Sequence, residues 1–164
     1  MKRIAFDSNV VDAIEASPGL LRAIQRAAAS GELILLSSHV QGDELAATPD
    51  QERRAKLLNL YRALPVTTVA THGFVLGVSR LGMARLGDGS WTGVGIDDLD
   101  SKGRKHRRDA LIGVTAAGEA DVFVTRERRL QRKMKAAGAR CEIWDFDEFR
   151  EYVLSITELD DSKS

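Results

Sequence analysis

The sequence predicts an α/β fold, a three-layer α/β/α sandwich around a central, mostly parallel five-stranded sheet. Three observations lead there. Short apolar runs recur along the chain, a segment of helical period separates each from the next, and parallel neighbours need crossovers that lay helices on both faces of a sheet. The 164 residues suit one domain with one core, expected over residues 1–156, with a frayed acidic tail over 157–164.

The first strand, 3–6, is apolar and stops on the carboxylate of Asp7, which is where open α/β sheets carry their sites, beyond the carboxyl ends of the strands. Val10, Val11, Ile14, Leu20, Leu21, Ile24 and Ala28 keep helical spacing, broken at Ser17-Pro18-Gly19 into a short helix and a longer one, with Ser17 as cap and Pro18 in the first turn. Gly31 ends that helix, and 32–37 is apolar at successive positions, as a strand covered on both faces must be. A helix over 39–47 restarts at Thr48-Pro49-Asp50 and carries an apolar stripe at Leu57, Leu58, Tyr61 and Leu64 until Pro65 stops it. Residues 66–69 are a short β-branched run. Phe74, Leu76, Leu81 and Met83 predict a helix across 73–86, opposed by the helix-weakening Gly73, Gly77 and Gly82. The glycine- and aspartate-rich stretch 87–103 is expected to be a long loop. A helix over 104–117, a strand over 120–125, a basic helix over 126–137, a strand over 140–144 and a helix over 146–156 complete the pattern.

Lys+Arg and Asp+Glu number 24 each, so net charge selects no partner. Cys141 is the only cysteine, which excludes an internal disulfide and a zinc site built on several thiolates; in its strand it is expected to be a buried, inert thiol. The chain turns acidic at Asp7 before any apolar run develops, and no stretch of about eighteen apolar residues occurs. Neither a signal peptide nor a membrane span is expected, and the cytoplasm is the expected location.

Four acids stand where this fold could gather them. Asp7 ends the first strand, Glu44 lies just beyond the second, Asp109 sits in the helix leading into the fourth, and Glu127 follows the fourth directly. If the first and fourth strands are neighbours, all four converge at one edge of the sheet. Bare carboxylates cannot share a small space, because like charges raise one another's pKa. Divalent cations resolve the conflict, and hard oxygen ligands select Mg²⁺ or Mn²⁺. Such a site suits phosphodiester hydrolysis. Arg104, Lys105, Arg107 and Arg108 precede Asp109, and Arg126 and Arg128 flank Glu127, which puts phosphate-binding charge beside the acids. Lys102 continues this basic run, and Trp91 in the long loop is the one aromatic nominated to stack on a base.

Four segments together resemble the PIN domain ribonucleases, which include the toxins of the VapC type. They are Ile4-Ala5-Phe6-Asp7-Ser8-Asn9-Val10, Gly42-Asp43-Glu44-Leu45, the helix from His106 through Asp109 to Ala117, and the run from Ala120 through Thr125 to Glu127. The resemblance covers residues 2 to about 153. It implies an RNA-cleaving hydrolase with Asp7, Glu44, Asp109 and Glu127 as catalytic metal ligands. Glu127 departs from the family's usual aspartate, and Asp121, at the opposite end of its strand, is the second choice for that role. The resemblance also implies that Ser8 and Asn9 hydrogen-bond around the metal site, that Thr125 orients a ligand or phosphate, and that the protein forms a homodimer restrained by an antitoxin protein.

Each acid also has a plain structural role open to it: an N-cap for Asp7, a solvated helical position for Glu44, a salt bridge with Arg107 or Arg108 for Asp109, and a favourable first-turn charge for Glu127. The basic helix after Glu127 could equally be a solvated face. A calcium loop through Asp98, Asp100 and Gly103 is opposed by Lys102 in a ligand position. His39, His72 and His106 lack the spacing of a zinc site. Two further functions stay open. One is a catalytically weak fold of the same type that binds RNA or protein. The other is a small-molecule phosphatase of the haloacid dehalogenase type, which needs an aspartate where Asn9 stands.

Overall fold

The computed structural model describes residues 1–85, 94–99 and 104–161, with the backbone alone for 104, 105 and 159–161. In chain order the strands are β1 (Lys2–Phe6), β2 (Leu33–Ser37), β3 (Val66–Thr68), β4 (Thr71–His72), β5 (Ala84–Arg85), β6 (Val122–Val124) and β7 (Glu142–Trp144). The helices are α1 (Ser8–Glu15), α2 (Leu20–Ala29), α3 (His39–Ala46), α4 (Gln51–Ala63), α5 (Ile96–Leu99), α6 (Arg104–Glu119), α7 (Arg128–Ala136) and α8 (Phe146–Asp161).

The expected α/β class holds. Five strands form one sheet in the order β3-β2-β1-β6-β7, and every pairing in it is parallel. The chain winds outward from β1 through β2 to β3, then returns to the other side of β1 with β6 and β7. Strand order therefore reverses between β1 and β6, where Phe6 pairs with Val124. Ligands of open α/β sheets bind at that reversal, outside the carboxyl ends of the strands.

Successive side chains of a strand face opposite ways, and this divides the core in two. Ile4 and Phe6 of β1, with Val122 and Val124 of β6, pack under α1, α2 and α8. Ala5 and Phe123 point to the other face, against Leu111 and Ile112 of α6 and Leu130 and Met134 of α7. Burying a side chain the size of Phe6 or Phe123 contributes roughly 1.5–3 kcal/mol, so this alternation fixes the strand register. On the second face α6 needs Gly113: a Cβ there would lie 2.9 Å from both Leu99 Cδ1 and Met134 Sδ.

Four expectations are corrected. The helix expected over 73–86 is absent from 73–85, because Gly73, Gly77 and Gly82 adopt φ of 124°, 78° and 80°, which breaks a helical ladder. It forms turns that join β4 to β5, a separate two-stranded parallel sheet. The cap of α2 is Gly19 in the left-handed region at φ 81° rather than Ser17, whose hydroxyl donates back to the Ala13 carbonyl at 2.7 Å. Part of the expected 87–103 loop is the helical turn α5, packed on α6. The last helix, expected to end at 156, runs on as α8 to Asp161, where a buried Thr157 donates to the Val153 carbonyl at 3.1 Å; residues 162–164 lie outside the described residues. Residues 87–93 and 100–103 of the expected loop, with Trp91, Asp100, Lys102 and Gly103, lie outside the described residues. No helix among the described residues is long and apolar enough to cross a membrane.

Candidate metal centre

Asp7 follows β1 directly and is the N-cap of α1. Its extended backbone turns the side chain back over the helix start, where Oδ1 accepts from the Ser8 N–H at 2.7 Å. The capping role open to it is therefore filled, yet only one carboxylate oxygen serves it. Oδ2 accepts from Asn9 Nδ2 at 2.7 Å and from Thr125 Oγ1 at 2.9 Å. Asn9 and Thr125 thus clamp Asp7 from α1 and from the end of β6. The residue is 3% exposed. Burial, with the charges of Glu44 and Glu127 adding to it, outweighs these hydrogen bonds and pushes the Asp7 carboxyl up to about 6.

Glu44 reaches the same place from α3. The start of α3 is a capping box, with Ser38 as N-cap and Gln41 reaching back to the Ser38 N–H at 3.0 Å. Gln41 is buried, and its Nε2 donates to the carbonyl of Phe6 at 3.0 Å, which ties α3 to the residue before Asp7. Glu44 lies one turn further along, and the Ser8 hydroxyl donates to its carboxylate. Gln41 had no place among the expected site residues, although the Ser38-x-x-Gln41 spacing of a capping box is written in the sequence.

Asp109 comes from the second turn of α6, and its side chain is 15% exposed. Glu127 is the N-cap of α7, but its side chain makes no capping bond. No capping bond holds its carboxylate, which faces the acidic centre, while its backbone N–H donates to Thr125 Oγ1 at 3.1 Å. Asp121 caps nothing there. It sits at the opposite end of the sheet, where its Oδ2 accepts from the Arg3 N–H at 2.7 Å.

The four acids fall into two overlapping groups. Asp7, Glu44 and Asp109 each offer an oxygen within 4.8 Å of the others, and Asp109 and Glu127 do the same together with His106. Asp109 belongs to both. His106, set aside on sequence because no zinc spacing includes it, joins the centre through its position three residues before Asp109, on the same face of α6. Its Nδ1 lies 3.9 Å from Asp109 Oδ2. His39 and His72 lie elsewhere: His39 Nε2 contacts the Val78 carbonyl at 3.3 Å, and His72 Nε2 meets Glu119 at 2.7 Å.

The donor set fits a hard divalent cation. Opposite oxygens of a Mg²⁺ octahedron lie roughly 4.2 Å apart, within the span of the first group. A buried carboxyl held at about 6 by burial and neighbouring acids is what a cation among them would relieve. The second group includes a nitrogen donor, which Mn²⁺ accepts more readily than Mg²⁺. Both groups open into a recess of about 550 Å³, whose wall also carries Arg126. Of the basic residues nominated for nucleic acid, Arg107, Arg126 and Arg128 are exposed and Arg108 is half-buried, while the side chains of Arg104 and Lys105 lie outside the described residues. Cys141 is buried and its thiol pushed up to about 11, in keeping with an inert role.

Comparison of the chain with protein-family models, with curated proteins and with solved structures finds no match.

Proposed function

We infer that the protein is a metal-dependent endoribonuclease of the PIN type. The observation that carries this is the convergence of Asp7, Glu44, Asp109 and Glu127 at the reversal of strand order, with Asp109 common to two groups of ligand-bearing side chains. Single capping or ion-pair roles do not require that convergence. On this reading Asp7, Glu44 and Asp109 hold one Mg²⁺ or Mn²⁺, and His106, Asp109 and Glu127 can hold a second. When bound, such a cation neutralises charge on a phosphodiester and makes a water more acidic.

The chain's own groups do the rest. Thr125 and Asn9 fix the Asp7 carboxylate, and Ser8 fixes that of Glu44, so the ligands are oriented before a cation arrives. Arg126 stands in the recess wall and supplies positive charge to a substrate phosphate. The choice of RNA, the toxin role with its antitoxin, and the homodimer come from the sequence resemblance and belong to the same proposal.

The test is incubation of the purified protein with single-stranded and structured RNA in Mg²⁺, in Mn²⁺ and in chelator, beside Asp7→Asn. Metal-dependent cleavage lost in the variant supports the reading. RNA retained on a filter but uncut favours the binding module, and phosphate released from a small monoester favours the phosphatase.

A further inference from the structure

The recess at the acidic centre does not stop at the acids. Beyond Glu44 its wall continues along the seam between α1 and α4, past Asp12 and Thr48 to Arg53 and Leu57. Arg53 and Leu57 also line an adjoining recess of about 170 Å³, whose wall carries Lys56 together with Glu15, Asp50 and Glu52. A path therefore leads away from the centre on the side opposite Arg126 and the basic α7.

Helical spacing builds that path. Ser8, Asp12 and Glu15 recur at four and three residues on α1 and share one face. Ser8 meets Glu44 at the centre, Asp12 Oδ1 meets Arg53 at 2.6 Å, and Glu15 meets Lys56 at 3.3 Å. Arg53 and Lys56, three apart on α4, present their charges to that face. The Arg53 side chain remains 55% exposed, and Asp12 is its one acidic partner among the described residues. A guanidinium carries five N–H donors in a planar fork. Asp12 engages NH2 and holds the fork at the recess wall, while the exposed remainder is available to an anion.

We propose that Arg53 is a phosphate contact for the substrate strand, on a nucleotide next to the scissile bond. The substrate is then a polymer whose backbone crosses the centre from the Arg126 side to the α1–α4 seam, and Asp12 is a positioning residue for Arg53. This inference rests on the ribonuclease reading of the same recess.

The experiment measures cleavage of an end-labelled single-stranded RNA in Mn²⁺ across a series of salt concentrations, for the wild type, Arg53→Gln, Arg53→Lys, Asp12→Asn and Arg62→Gln. Arg62 is an exposed cation of α4 that lines neither recess. Arg53→Gln is expected to raise KM about tenfold with kcat within about twofold, as loss of uniform binding does. It also lowers the slope of log(1/KM) against log salt by about 0.7, the value for one phosphate contact on a single strand. Arg53→Lys restores part of the loss, and Arg62→Gln matches the wild type. Asp12→Asn keeps a side-chain oxygen to accept from the Arg53 guanidinium and so to position it, but removes an anion from the path, so its KM does not rise. Equal weakening by Arg53→Gln and Asp12→Asn, or an unchanged KM and salt slope in Arg53→Gln, overturns the proposal. Failure of the ribonuclease reading shows differently, as no metal-dependent cleavage by the wild type. Filter binding of the same RNA then still reads Arg53, and equal retention of wild type and Arg53→Gln overturns the inference independently.

Discussion

Replacing Asp7 with Asn removes a buried charge that the fold holds at a cost. The Asp7 carboxyl stands at about 6 against an ordinary value of 3.8. At about 1.4 kcal/mol for each pH unit between those values, keeping it ionised costs the native state about 3 kcal/mol. The sign follows from proton counting. Between about pH 4 and pH 6 the native state keeps a proton that the unfolded chain has released, so stability falls as pH rises through that window and stays low above it. An Asn at this position carries no charge, but both Asp7 oxygens accept, one from the Ser8 N–H and the other from Asn9 and Thr125, so its NH₂ meets a donor on either side. That mismatch takes back about 1 kcal/mol. The net expectation in chelator at about pH 8 is a variant more stable by about 2 kcal/mol, or about 4–8 °C in Tm for a chain of this length. At about pH 4 the advantage vanishes. Urea denaturation of both proteins at intervals between these pH values, in chelator, measures it. A variant less stable than wild type at the alkaline end, or a difference independent of pH, would refute the account of Asp7 as a buried charge awaiting a counter-ion.

Three other outcomes follow from the same geometry. Asp109 is shared by both ligand groups, so Asp109→Ala weakens Mn²⁺ binding by more than about a hundredfold and lowers the stoichiometry further than Glu44→Ala or Glu127→Ala, read by isothermal titration calorimetry. Thr125 is fully buried and bonds both Asp7 and the Glu127 N–H; Thr125→Val keeps its shape, costs about 1–3 kcal/mol by denaturation, and drives the Asp7 carboxyl higher still, as an NMR titration would record. Cys141, buried and with its thiol at about 11, reacts with a thiol reagent near neutral pH only as fast as the protein unfolds, so labelling rates rise with urea rather than with reagent.

The sheet was legible because a parallel strand buried on both faces leaves a continuous apolar run, and β1, β2 and β6 each carry one. Three of the four acids were legible by position, since each lies at or just past a strand's carboxyl end. Adjacency of β1 and β6, on which convergence depends, had to be assumed: no residue pattern records which parallel neighbours pair. The stretch 73–86 misled because its apolar spacing is helical while Gly73, Gly77 and Gly82 take backbone angles that only the fold reveals. His106 was missed because a zinc motif was the pattern sought, whereas its membership comes from one helical turn shared with Asp109. Arg53 was invisible for a related reason. The α1–α4 pairing that carries it to the recess wall joins residues 41 positions apart.

Anomalous diffraction from crystals grown in Mn²⁺ tests the central claim most directly, because it asks whether the acids form a cation site without presupposing a substrate. The account predicts a peak ligated by Asp7, Glu44 and Asp109, and a second, weaker one between Asp109, Glu127 and His106. Full Mn²⁺ concentration with no peak among these side chains, or a peak that persists in Asp109→Ala, would contradict it.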